Sequence, residues 1–271
     1  MASGNKLYES FSPFPGLRPF TPEESDFFFG RERESEEIFL KLLRSRFVAV
    51  TGASGSGKSS LVQGGLIPRI KSLSEAGETQ WRIVNVRPGS DPLGNLASAL
   101  SGNGPVRNPN DEIQSEILKV LRDNPDGIGE VIRNAPPRFR GKTLLFIDQF
   151  EELFRDVSFQ SYPDREKELS RFVTLLTNSV SHNNPDIYLV IAIRSDLITE
   201  CSHYRGFTNL INGSNYMVSK MSREAMREVI AGPIKTIGAE IDDDLVELLV
   251  DEVSNPDHQL PILQHALMRT W

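Results

Sequence analysis

The chain has 271 residues, enough for one large domain or a core with a smaller satellite, and its 38 % hydrophobic and 25 % charged content is that of an ordinary globular protein. A single cysteine, Cys201, excludes an intrachain disulfide framework and a cysteine metal cluster, and a cytoplasmic setting is the simplest expectation. The formal charge of −7 argues against sequence-independent nucleic-acid binding; no apolar run nears the ~18 residues of a membrane helix, and MASGNKLYES lacks a signal-peptide pattern.

Residues 1 to 28 are rich in Pro, Phe and Ser, lack helical period, and read as an extended lead packed onto something larger. RFVAVT (46 to 51) is a short, β-branched, apolar run before a glycine-rich turn, the pattern of a buried parallel strand. A helix is expected from 58 to 71, ending near Gly77, then a strand at 82 to 86. Asp91 followed by Pro92 predicts an N-cap and first helical position. Asn110 is a candidate cap for a helix carrying Ile113, Ile117, Val120 and Leu121. TLLFI (143 to 147) and IYLVIAI (187 to 193) are further buried strands, separated by an amphipathic helix bearing Leu169, Phe172, Val173, Leu176 and Val180. Residues 216 to 219 are a candidate fifth strand.

Strands alternating with helices imply βαβ units, an α/β fold and a parallel sheet with helices on both faces. After Lys220 the pattern is helical only: Ser222 caps one helix, Asp242 a second with Leu245, Leu248, Leu249 and Val253 facing inward, and Leu260, Leu263, Leu267 and Trp271 form a stripe on a third. The expected division is a lead segment (1 to 44), a core (45 to 220) and a small all-helical piece (221 to 271). Because Trp271 falls inside an apolar stripe, the chain is expected to be a fragment of something longer.

Residues 52 to 59 read GASGSGKS, which is G-x-x-x-x-G-K-[ST] between a strand and a helix. Gly52, Gly55 and Gly57 free the backbone to wrap phosphates, and Ala53, Ser54 and Ser56 supply further N–H groups at the positive end of the following helix. Lys58 is placed to reach the β- and γ-phosphates, the Ser59 hydroxyl to bind magnesium, and Ser60 to approach the α-phosphate. In TLLFID, Asp148 ends an apolar strand and fits the magnesium-holding Walker B acid. QFEELF follows: Gln149 stands where many hydrolysing enzymes carry their glutamate, so Glu151 and Glu152 are both candidates for the base, or both are acids suited to a helix's first turn. Arg194, ending the strand IAIR, either senses a γ-phosphate or pairs with Asp196. Cys201 with His203 nearby is not a protease signature, and His258 and His265 read as helix-surface or packed residues.

With these residues in view the chain resembles the STAND class of P-loop NTPases, and within it the novel STAND NTPases. PFPGLRPFTPEESDFFFGRE (13 to 32), FGRERE (29 to 34), GASGSGKSSLVQGGLIPRI (52 to 70), LLFIDQFEELF (144 to 154), AIRSD (192 to 196) and LPILQHAL (260 to 267) carry the resemblance. It implies a strand bearing Arg194 between the two phosphate-site strands, and a helical lid after the core. It implies an ATP/ADP switch with magnesium that hydrolyses slowly and self-associates when ATP-bound, and that works with sensor and effector domains not found in these 271 residues. It also places Gly30 and Arg31 near the adenine or its phosphates and Pro261 against the nucleotide from the lid. Three other readings stay open: a motor or loader of the AAA+ type, a nucleotide-bound scaffold that does not hydrolyse, and a small-molecule kinase.

Overall fold

The computed structural model describes residues 12–77, 79–102, 112–139, 141–155, 163–181, 183–253 and 260–271. The expected cap at Asn110, and His258, lie outside them. Two compact units are present: one gathers the described residues of Met1–Glu36, Ser54–Pro68 and Ser219–Trp271, the other Glu37–Ala53 and Arg69–Val218.

The second unit holds a five-stranded sheet. Its strands are β1 (Phe47–Gly52), β2 (Trp81–Val86), β3 (Lys142–Ile147), β4 (Ile187–Arg194) and β5 (Asn215–Met217), in the order β2-β3-β4-β1-β5. Every pairing is parallel. β1 is buried along its whole length, and β3 and β4 nearly so. Successive side chains point to opposite faces, so burial at every position means that both faces are covered. This is why these strands read as continuous apolar runs rather than alternating ones.

Phe47, Ala49, Leu145, Ile147, Leu189, Ile191 and Ile193 form one core with apolar residues of the surrounding helices. Among these are α4 (Pro92–Ser101), α5 (Glu112–Asp123), α6 (Gly127–Arg133), α8 (Pro163–Ser179) and α9 (Arg205–Gly213). Each large side chain buried here contributes about 1.5–3 kcal/mol. The Asp91 carboxylate caps α4 by accepting from the Gly94 N–H at 2.9 Å, with Pro92 at the first helical position, as expected.

Glycine residues shape the helix after β1. It starts as α2 (Lys58–Ser60), widens into a π-helical turn over Leu61–Leu66, and continues as α3 (Ile67–Glu75). A Cβ on Gly64 would lie 2.9 Å from the Phe28 ring, so the lead segment packs where only glycine leaves room.

The other unit is helical. The lead segment is not wholly extended: Pro22–Phe27 form a 3-10 turn, started by Pro22 and by a capping box between Thr21 and Glu24. Phe27, Phe28 and Phe29 are half-buried rather than fully buried. Three helices follow, α10 (Arg223–Thr236), α11 (Asp243–Val253) and α12 (Leu260–Thr270). Their core comprises Met226, Ile230, Ile234, Val246, Val250, Leu263 and Leu267, closed by Phe14. Ser222 caps α10, accepting from the Ala225 N–H at 3.2 Å, and Asp242 caps α11, accepting from Asp244 and Leu245.

The inward face of α11 differs from expectation. Leu245 and Leu248 are 47 % and 59 % exposed, while Val246 and Val250 are buried and Leu249 is half-buried. Apolar residues at 245, 246, 248, 249 and 250 span more than one helix face, so periodicity alone does not fix its centre. Trp271 is likewise largely exposed, its ring edge-on to Phe14 at 6.4 Å.

Candidate functional site

In the sheet unit, the carboxyl ends of three adjacent strands come together. Gly52 ends β1 in register with Arg194 of β4, and Ile147 of β3 pairs with Ile191 of β4. The strand carrying Arg194 thus lies between those that lead to GASGSGKS and to Asp148. In open parallel sheets, ligand-binding residues gather at such carboxyl ends.

Asp148 is 0 % exposed. Its Oδ1 accepts from the Gln149 N–H at 3.1 Å, and its Oδ2 lies 3.2 Å from the Arg87 guanidinium. Gln149 itself has φ +55, a left-handed conformation uncommon for a side-chain-bearing residue. The fully buried Phe150 anchors this turn: its ring stacks on Phe207 at 5.2 Å, and its N–H donates to the Ala192 carbonyl at 2.9 Å.

The turn separates the two candidate glutamates. Glu152 Oε2 accepts from the Gly89 N–H at 3.1 Å and ties the loop after β2 to the start of α7 (Glu152–Arg155). Glu151 is 6 % exposed, and its Oε2 is buried with no hydrogen-bond partner among the described residues. A buried carboxylate oxygen without a partner is costly, and a water or ligand group is the usual remedy. Arg194 makes the ion pair with Asp196, through Nε at 3.1 Å and Nη2 at 2.7 Å. That bond, above all, holds the Arg194 guanidinium above its ordinary pKa, with the Glu151 charge a smaller contribution in the same direction.

The phosphate-loop residues Ser54 to Ser60 belong to the helical unit. Gly55 and Gly57 have φ +73 and +87, the positive angles that a loop turning its N–H groups inward requires. Ala53 and Ser54 are exposed, Lys58 is 9 % exposed, and Ser59 is half-buried. The Ser56 Oγ is buried with no hydrogen-bond partner among the described residues. Ser60 Oγ accepts from the Phe20 N–H at 3.4 Å, a contact to the lead segment. Leu260, first residue of α12 and neighbour of the half-buried Pro261, comes within 3.8 Å of where a Gly57 Cβ would stand.

Gly30 and Arg31 are also in this unit. Gly30 has φ +78, and a Cβ there would meet the Ala225 carbonyl oxygen at 2.5 Å. Arg31 is buried, bonded to Glu34 at 2.6 Å and to the Ser219 carbonyl at 2.8 Å.

These residues fit a nucleotide with a hard divalent cation. A glycine-lined loop at a helix N-terminus suits phosphate oxygens, and the orphaned Ser56 hydroxyl lies within that loop. In the sheet unit, the Asp148 carboxylate is an oxygen donor of the kind that magnesium takes. Sequence reasoning missed three things. Arg87 was given no role, although it is a basic residue at the end of a strand. The contact of Leu260 with the loop, and the half-turn that separates Glu151 from Glu152, have no sequence signal beyond the neighbouring Pro261 and Gln149.

The strand order, the loop and the strand-terminal acid define a P-loop NTPase. The chain belongs to the novel STAND NTPase 1 family, whose model matches residues 13–271. Comparison with curated protein sequences gives no match. Among solved structures, the chain is similar to the Aeropyrum pernix ORC1 protein in complex with DNA, at 14 % identity and TM-score 0.60, covering 94 % of this chain and 63 % of that one. It is similar to a Walker-type ATPase of Pyrococcus abyssi, at 14 % identity and TM-score 0.56, covering 92 % and 68 %. It is also similar to AMPPCP-bound DnaA from Aquifex aeolicus, at 13 % identity and TM-score 0.52, covering 93 % and 64 %. At such identities the likeness is one of fold. The chain spans less than two thirds of the ORC1 and DnaA chains. No helix among the described residues is long and apolar enough to cross a membrane.

Proposed function

We propose that this chain is the nucleotide module of a regulatory switch: it binds ATP with magnesium, hydrolyses it slowly, and changes state with the nucleotide it holds. The observation that carries this reading is the strand order β3-β4-β1, which sets the Asp148, Arg194 and Gly52 ends side by side. In this reading the loop N–H groups of Gly52 to Ser60 wrap the phosphates and the Lys58 ammonium neutralises their charge. Ser59 and Asp148 would hold the magnesium, which would offset the negative charge of the phosphates. Glu151, with its unpartnered buried oxygen, orients the attacking water and accepts its proton. Glu152 is the structural one of the pair, because its carboxylate already holds the Gly89 N–H.

Arg194 reports the γ-phosphate by exchanging the Asp196 carboxylate for phosphate oxygens, a trade between two bidentate acceptors. Gly30 and Arg31 lie near the adenine or its phosphates, Pro261 touches the nucleotide, and residues 221 to 271 act as the lid. Self-association in the ATP state, with sensing and output in segments outside this chain, completes the switch.

A second reading, a nucleic-acid loader, draws on the likeness to a DNA-bound ORC1 protein. The net charge of −7 weighs against it.

The test is to denature the purified protein, identify the nucleotide released, and follow ATP turnover in the parent, Lys58→Ala, Glu151→Gln and Glu152→Gln. The expected result is bound ADP and slow turnover that Lys58→Ala abolishes. Glu151→Gln should lower kcat about 100-fold, the scale of a lost general base, while Glu152→Gln leaves it near the parent. Turnover accelerated by DNA would favour the loader. Absence of nucleotide binding would overturn both readings.

A further inference from the structure

We propose that Arg87 is a resident counter-cation of Asp148 and competes with divalent metal for that carboxylate; the proposal rests on the reading of Asp148 as a metal-holding residue. Asp148 is 0 % exposed, and a buried carboxylate must be compensated. One of its oxygens is committed to the N–H of Gln149, in the left-handed turn. The other faces the Arg87 guanidinium at 3.2 Å, so a metal or its bound water must displace that contact to reach Oδ2.

The backbone around Arg87 is built to hold the guanidinium there and also to let it leave. Val86, the last residue of β2, accepts from the Asp148 N–H at 2.9 Å, which locks the strand end beside the acid. The Asn95 side chain donates to the carbonyls of Arg87 at 3.2 Å and of Pro88 at 2.9 Å. Glu152 holds the Gly89 N–H, and Asp91 caps α4. The main chain is therefore fixed at four successive points. The Arg87 side chain, by contrast, is 52 % exposed, so it can swing into solvent without loss of core packing. An arginine is suited to this role because it stays charged at every physiological pH. Without metal it satisfies the buried acid; with metal it is a like charge beside the cation and is pushed out. The consequence is a metal affinity set below what Asp148 alone would give, and an apo state that remains folded.

The experiment measures Mn²⁺ binding to the full chain in the presence of ADP, by the loss of the free-ion electron paramagnetic resonance signal. Parent, Arg87→Ala, Arg87→Gln, Arg87→Lys and Asp148→Asn are compared, with melting temperatures taken with and without Mn²⁺. Arg87→Ala and Arg87→Gln should bind Mn²⁺ roughly tenfold tighter, the scale of one removed charge-assisted competitor. Arg87→Lys should stay close to the parent. The melting temperature of the Ala and Gln variants should be lower without Mn²⁺ and rise further on its addition. Arg87→Gln keeps a hydrogen-bond donor and guards against a folding failure of the alanine variant. Equal or weaker Mn²⁺ binding by the neutral variants, with binding lost in Asp148→Asn, would overturn the proposal alone. Unchanged binding in Asp148→Asn would overturn the metal-holding reading of Asp148 and the proposal with it.

Discussion

Two of the places where arginine meets carboxylate differ sharply in their surroundings. After β2, Arg87 faces Asp148, an acid that water does not reach. Between α10 and α11, Arg227 and Arg223 share Glu247, and Arg223 also takes Asp251, with all four side chains 40 % exposed or more. The chemistry is the same, but the surroundings decide what it does. In water the attraction is screened, and each pair also loses side-chain freedom. Around Asp148, removing Arg87 takes a charged partner from a buried carboxylate, so the pair matters chiefly through what its absence would cost. The cluster between α10 and α11 orders two helix surfaces, whereas the Arg87 contact compensates an acid at the end of a packed sheet strand.

The comparison breaks most visibly when an arginine is reversed in sign. Arg87→Glu sets a second carboxylate against a buried one and should cost about 3–5 kcal/mol. Denaturant unfolding of this variant beside Arg227→Glu is the check. The latter faces solvent and should move the midpoint far less, with the difference from the parent fading in high salt. Equal losses in the two variants would mean that burial does not separate the sites.

A smaller effect comes from pH. The Arg227 hydrogen bond, foremost, and then Arg223 hold the Glu247 carboxyl below its ordinary 4.5. A carboxyl lowered on folding adds stability that is present above its unfolded value and is lost as pH falls through the folded value. Glu247→Gln should therefore lower the melting temperature at pH 7 and converge on the parent well below pH 4.5. A constant gap across that range would show that Glu247 acts through packing rather than charge.

The smallest effect concerns a buried thiol. Burial, then the Glu200 charge, pushes the Cys201 thiol up to about 12. At pH 7.5 it should resist alkylation in the folded protein and react only on unfolding, as mass spectrometry can follow. Rapid native-state labelling would place Cys201 nearer solvent than its packing indicates.

Much of the fold was legible because parallel strands buried on both faces leave unbroken apolar runs, and RFVAVT, TLLFI and IYLVIAI are such runs. Gly-x-x-x-x-Gly-Lys-Ser was legible because few other residues tolerate Gly57 at φ +87. The inward face of α11 was not, since its apolar residues cover too wide an arc to point one way. The roles of Glu151 and Glu152 were not either. Adjacent acids look alike in a sequence, and only the left-handed Gln149 and the anchoring Phe150 send one into the interior and the other to Gly89. Arg87 was hidden for a different reason: its partner lies on another strand, and pairing between strands has no local signal.

The strand order also sets a schedule for the ribosome. β1 emerges early, yet its two neighbours are β4, where Phe47 meets Leu189, and β5, where Ala49 meets Asn215. Until those late segments are translated, the apolar run leading into the phosphate loop has no strand to pair with. Nascent chains are in that interval exposed to chaperones and to wrong partners. β1 gains both of its neighbouring strands only once the chain has passed β5.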